Sequence, residues 1–94
     1  MNTKDYVSRD LAIKLKYHGF DGDNPTLWQA HQWLRKKHNI FIAIELDSYK
    51  NFGYDIIDFS NEVEYKCGGG FYKSYEDALH RGIEHALERF DYDD

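Results

Sequence analysis

Hydrophobic and polar positions change period twice along this 94-residue chain. Val7, Leu11 and Leu15 fall on one helical face, with Ser8 placed to cap it and Asp10 in the first turn, where the helix dipole favours an acid. Val7 and Ala12 have the spacing of a hydrophobic staple, and Gly19 is placed to end the helix in a left-handed conformation. This predicts a first helix over 8–18. The stretch FDGDNP, residues 20–25, is turn chemistry. Thr26 with Gln29 has capping-box spacing, and Leu27, Ala30 and Leu34, with Trp33 beside them, continue a second helix. Arg35, Lys36, Lys37 and His38 fill its last turn, with Asn39 just past the end.

The period then drops to two. Ile40, Ile42, Ile44 and Leu46 alternate with Phe41, Ala43, Glu45 and Asp47, which predicts a strand. KNFG, residues 50–53, reads as a turn into a second strand, YDIIDF, which is apolar on both faces. Ser60 and Asn61 lead to a third, EVEYKC, with Val63, Tyr65 and Cys67 on one face. The final change restores helical spacing. Ser74 caps, Asp77 stands at the third helical position, and Tyr75, Ala78, Leu79, Gly82, Ile83, Ala86, Leu87 and Phe90 form a long apolar stripe. Residues 91–94, DYDD, are expected to fray. The order α-α-β-β-β-α predicts an α+β fold: one domain over 1–94, with a three-stranded antiparallel sheet, an α-β-β-β-α core over 26–90 and helices packed on the sheet. Ile42, Ile44, Leu79, Ile83, Ala86 and Leu87 are the expected core. The face of strand two that turns inward is left open, because Tyr54 and Ile56 compete with Ile57 and Phe59. Either way the side bearing Phe41 and Ala43 keeps apolar surface. The first helix or a second molecule is expected to cover it, so Phe41 and Ala43 are candidate interface residues and a weak homodimer is one expected state.

Composition narrows this reading. The chain is 41% hydrophobic and 17% aromatic, enough for one small core and too apolar for a disordered segment. A single cysteine, Cys67, permits no internal disulfide and fits a reducing compartment. The polar start, MNTKDYVSRD, does not resemble a secretory leader, and no apolar run reaches membrane-spanning length, so a cytoplasmic protein without membrane contact is expected. The net charge of −5 is unevenly spread. Residues 1–50 carry eight Lys or Arg against six Asp or Glu, a balance of +2, and residues 51–94 carry four against eleven, a balance of −7. The acidic half disfavours nucleic acid, whereas the first half could approach a phosphate backbone.

Candidate chemistry is sparse. Gly68, Gly69 and Gly70 precede the last helix, but no Lys-Ser/Thr pair follows at phosphate-loop spacing, and Glu76 and Asp77 would repel an anion. A structural joint explains them better. No two of the five histidines are four apart on a helix, and His31 and His38 lie about 10 Å apart along one. His80, Glu84 and Glu88 line one solvated face. Cys67 reads as a buried hydrophobe, and the acids Asp55, Asp58, Glu62 and Glu64 have no pocket assigned to them. Neither an enzyme nor a cofactor or metal is expected. The run Arg35-Lys36-Lys37-His38 suits a helix C-terminus, and its sharper reading is a phosphate contact.

Over most of its length, through DYVSRDLAIKLKYHGF, TLWQAHQWLRKKHNIFIAI and YKSYEDALHRGIEHAL, the chain resembles a family of small proteins from gut bacteria and their phages or mobile elements. That resemblance implies no activity. The connection between Phe20 and Thr26 is short against the family pattern. YVSRDLAIKL with PTLWQAHQWLRKKHNI also resembles the helix pair of excisionase-like and MerR-like winged-helix proteins. It implies a recognition helix whose Gln29, Gln32 and Arg35 reach bases or phosphates, with Lys36 and Lys37 beside them. The connection GFDGDNP is longer than such a pair uses. The order over 26–90 is also that of double-stranded-RNA-binding domains, but the last helix opens Ser74-Tyr75-Glu76-Asp77, without their lysines. The leading expectation is a non-enzymatic accessory or protein-interaction domain of mobile-element type with an unknown protein partner, and the alternative is a DNA-binding protein using the N-terminal helices.

Overall fold

The computed structural model describes residues 6–60, 63–66 and 72–92. They form a small α+β domain with three helices, α1 (Arg9–Tyr17), α2 (Leu27–His38) and α3 (Tyr75–Tyr92), and an antiparallel pair of strands, β1 (Ile40–Leu46) and β2 (Phe52–Asp58). A four-residue segment, Val63–Lys66 (β3), runs antiparallel beside β2, with Val63 opposite Asp58 and Lys66 opposite Asp55. The reading of Cys67 and of Gly68 to Gly70 as a buried strand end and a joint falls outside the described residues, as does Glu62.

Local chemistry accounts for the helix limits. Ser8 Oγ accepts from Leu11 N at 3.2 Å, and Ser74 Oγ accepts from Asp77 N at 3.1 Å. Thr26 and Gln29 close a reciprocal capping box, at 3.1 Å from Gln29 N to Thr26 Oγ1 and 2.9 Å from Thr26 N to Gln29 Oε1. Each cap satisfies donors that the first helical turn leaves unpaired. Gly19, at φ +102°, follows α1, and Asn39, at φ 55°, ends α2 in the left-handed conformation that Asn tolerates. Asn39 alone separates α2 from β1, so the chain doubles back directly into the sheet. At the other end α3 continues to Tyr92, two residues into the stretch expected to fray.

The hairpin turns earlier than the sequence suggests. Asp47 Oδ1 accepts from Tyr49 N at 2.8 Å and from Asn51 N at 2.9 Å, while Lys50 adopts φ 63°. An aspartate turn at residues 47–51 thus replaces the expected turn at 50–53. Gly53 enters the strand opposite Glu45, and β2 begins at Phe52 rather than Tyr54.

The register pairs Ile42 with Ile56 and Ile44 with Tyr54 on one face, and Phe41 with Ile57 and Ala43 with Asp55 on the other. Tyr54 and Ile56 are the inward pair. They join Ile40 and Ile42 in one buried cluster with Leu79, Ile83, Ala86 and Leu87 of α3 and Leu27, Ala30 and Leu34 of α2. Ile44 only packs against this cluster and stays half-buried, because β1 loses cover toward its C-terminal end.

Val7, Leu11 and Leu15 belong to that same cluster. Helix α1 therefore packs with the other helices and does not fold across the Phe41 side of the sheet, which corrects one of the two covers expected there. Contacts at its start help to hold α1 in place. Tyr6 bridges Thr26, Val7 N donates to Pro25 O at 3.1 Å, and Ser8 N donates to His80 Nε2 at 3.0 Å. Leu11 and Leu15 are completely buried in this position, which takes their apolar surface out of water.

Candidate functional site

The connection between α1 and α2 folds back against the free side of α2. Phe20 N donates to Leu15 O at 2.9 Å, Pro25 is buried, and Lys16 Nζ meets Asp23 Oδ1 at 2.7 Å. Between this loop and α2 lies an open groove of about 400 Å³. Residues 20–25 form one wall, and Gln29, Gln32, Trp33, Lys36 and Lys37 form the other. Trp33 is half-buried. Phe20 meets its ring edge-to-face at 5.7 Å between centroids, and His38 does so at 4.8 Å. Such contacts fix the indole and leave an apolar floor. Burial, and then the charge of His18, holds His38 below the usual histidine pKa.

The walls differ in charge. Asp23, through its hydrogen bond and its charge, raises the pKa of Lys16, and Lys16 lowers that of Asp23 in return. Asp21 stands on the same wall. On the opposite wall Lys36 and Lys37 are exposed and have no ion pair among the described residues. Four of the five candidate contact residues thus converge on one feature, and Arg35 does not. It is exposed on the flank of α2 that faces His31, whose pKa it depresses. Gln29 has its carbonyl oxygen committed to the Thr26 cap, so only its amide nitrogen remains to donate. Gln32 is exposed.

His31 serves the fold. It is 8% exposed, and its Nε2 accepts from Ile42 N at 3.0 Å. That places the proton on Nδ1 and satisfies a donor on the edge of β1, where no strand pairs among the described residues. Burial, then Arg35, lowers its pKa from 6.5 to about 4. Phe41 lies on the sheet face away from the helices, half-buried, with its ring 5.1 Å from that of His31. Ala43 is half-buried on the same face.

A second polar group occupies α3. Glu84 Oε1 lies 3.0 Å from His80 Nδ1, and His80 Nε2 accepts from Ser8 N. The residue types are those of a serine–histidine–acid triad, but the bond to the imidazole comes from the Ser8 backbone and the Ser8 hydroxyl is committed to Leu11 N. The arrangement docks α1 on α3 and activates no nucleophile. The face expected to be solvated is consequently half-buried. Glu88 meets Arg81 at 3.2 Å and Lys14 at 4.0 Å, which disperses the acids that lined it. His85 Nδ1 lies 3.1 Å from the Tyr54 hydroxyl, and burial followed by Arg81 lowers its pKa. No group of three His, Cys, Asp or Glu among the described residues is placed to hold a metal ion.

Residues 20–25 are not recognisable as a site from sequence, because turn composition says nothing of what a turn packs against. One signal was available for His31, which continues the buried stripe of Leu27 and Leu34 at i+4 and i−3. Compared with models of known families, with curated proteins and with solved structures, the chain matches none. No helix among the described residues is long and apolar enough to cross a membrane.

Proposed function

We propose that this chain is a non-enzymatic accessory domain of mobile-element type that binds a protein partner through the groove between the α1–α2 connection and α2. The fold that accompanies this reading is the three-stranded sheet in the order α-α-β-β-β-α, with β3 as its outer strand. One observation carries the function: an apolar floor at Trp33 lies between Asp21 and the Lys16–Asp23 pair on one side and Lys36 and Lys37 on the other. A nucleic-acid backbone presents only negative charge and would meet Asp21 across the groove. A protein segment offers apolar, acidic and basic groups together and suits such a site.

Selection from a displayed library of random peptides tests this reading, with Gln32→Trp as the counter-screen because a large side chain there fills the groove from an exposed position. Peptides that bind the parent and not Gln32→Trp are the expected result. Enrichment indifferent to Gln32→Trp would overturn the assignment.

A second reading, DNA binding through α2, is favoured by the charge of that helix. Arg35, Lys36 and Lys37 are its only charged residues apart from histidine, and Gln32, Arg35 and Lys36 are all exposed. Titration with duplex DNA at low and moderate salt decides between the two. Binding that weakens steeply with salt and disappears on replacing Arg35, Lys36 and Lys37 by alanine supports DNA. No binding at low salt removes that reading.

A further inference from the structure

Resting on that reading of the groove, we propose the chemistry of its occupant: an extended peptide segment with an aromatic anchor and a carboxylate one or two residues away. The anchor follows from the floor. Trp33 is fixed by Phe20 and His38 before any ligand arrives, so an aromatic side chain gains contact area at little cost in ordering the protein.

The carboxylate follows from the charge balance. Of the two aspartates on the loop wall, Asp23 is already neutralised by Lys16 at 2.7 Å. Asp21 therefore stands against both Lys36 and Lys37, and the groove retains a positive excess on the α2 side. Both lysines sit in the last turn of α2, where the helix dipole favours them without any carboxylate from the chain. The spacing follows from helix geometry. Lys36 lies three residues beyond Trp33, about one turn along, or roughly 5 Å. An extended peptide advances about 3.3 Å per residue, so a carboxylate one or two residues from the anchor reaches the ammonium groups.

The chain contains two tryptophans, Trp28 and Trp33, so Trp28→Phe leaves Trp33 as the sole indole reporter. In that background, fluorescein-labelled peptides with an Asp-Phe-Asp core between Gly-Ser flanks are compared with the Asn-Phe-Asn version, by anisotropy and by Trp33 emission. The acidic peptide is expected to bind roughly tenfold or more tightly than the amide peptide, as charge-assisted hydrogen bonds are lost in the latter. The difference should shrink with salt and vanish in Lys36→Ala/Lys37→Ala. In Lys36→Glu/Lys37→Glu the preference should pass to a Lys-Phe-Lys core.

Equal affinity for the acidic and amide peptides overturns the carboxylate assignment and leaves the groove as a protein site. The carboxylate assignment also falls if neither peptide binds while the library yields groove-dependent binders of other composition. If neither binds and the library yields none, the protein-binding reading falls as well. Quenching of Trp33 by duplex DNA, abolished by the lysine replacements, would reassign the groove to nucleic acid.

Discussion

Gly82 of α3 packs directly on Ile42 and Tyr54 of the sheet, and its replacement by alanine sets two effects of opposite sign against each other. In the interior of a helix, Gly→Ala stabilises by about 1 kcal/mol through backbone entropy. Here an added Cβ would lie 2.5 Å from Ile42 Cγ2 and 3.3 Å from both Cδ2 and Cγ of Tyr54. Carbon atoms in favourable contact sit roughly 3.5–4.0 Å apart, so α3 and β1 would have to separate by about an ångström. Nothing nearby gives way cheaply, because Leu79 and Ile83 are fully buried and Ile42 is almost so. Overpacking of this kind costs about 1–3 kcal/mol, and the short Ile42 contact places this case toward the upper end. Gly82→Ala should therefore lower stability by about 1–2 kcal/mol net, with a fall in Tm of roughly 4–8 °C per kcal/mol for a domain this small. Urea unfolding followed by circular dichroism and tryptophan emission measures it. A cycle with Ile42→Ala isolates the cause. Removing Cγ2 should cost less in the Gly82→Ala background than alone, with a coupling of at least about 0.5 kcal/mol. Ile42→Val keeps Cγ2 and should bring no relief. A Gly82→Ala protein as stable as the parent would show that helix propensity wins and that the close approach does not govern this position.

Leu79 is fully buried, so Leu79→Ala should cost about 2–5 kcal/mol in the same assay, and a loss below about 0.5 kcal/mol would mean that α3 turns another face to the sheet. Thr26→Ala removes one half of the capping box and should cost about 1 kcal/mol, with Thr26→Ser close to neutral; equal losses for both would show that the hydroxyl is not what matters. For His31 the folded pKa of about 4 lies below its usual 6.5, so the unfolded chain binds more protons between those values. The stability this contributes is complete above about pH 6.5 and is lost as pH falls toward 4, on the order of 3 kcal/mol in all. His31→Gln should flatten that part of the stability–pH curve, and a mutant curve parallel to the parent's would assign the acid sensitivity elsewhere.

Sequence alone determined the features that close within a turn or two of chain. The caps at Ser8, Thr26 with Gln29, and Ser74, the left-handed Gly19 and Asn39, the alternation of β1 and the long apolar stripe of α3 all depend on partners a few residues away. The groove was half legible. Gln29, Gln32, Lys36 and Lys37 stood out as candidate nucleic-acid contacts, not as one wall of a groove, and the wall they face could not be seen. That wall exists because Lys16 and Asp23 pin the loop and Phe20 reaches Trp33, thirteen positions on. The start of β2 is hidden for a subtler reason: Asp47 holds Lys50 in a left-handed conformation usually given to glycine, so the nearby Gly53 points to the wrong turn. Tertiary structure decided the rest. Strand β2 is apolar on both faces, and a period of two cannot choose between Tyr54 with Ile56 and Ile57 with Phe59. The choice falls only when α3 packs on one pair. The side taken by α1, and the use of His31 to satisfy Ile42 N on the edge of β1, are likewise outcomes of burial shared among distant elements. Burial depends on the sum of all the faces brought together, so no local pattern contains it.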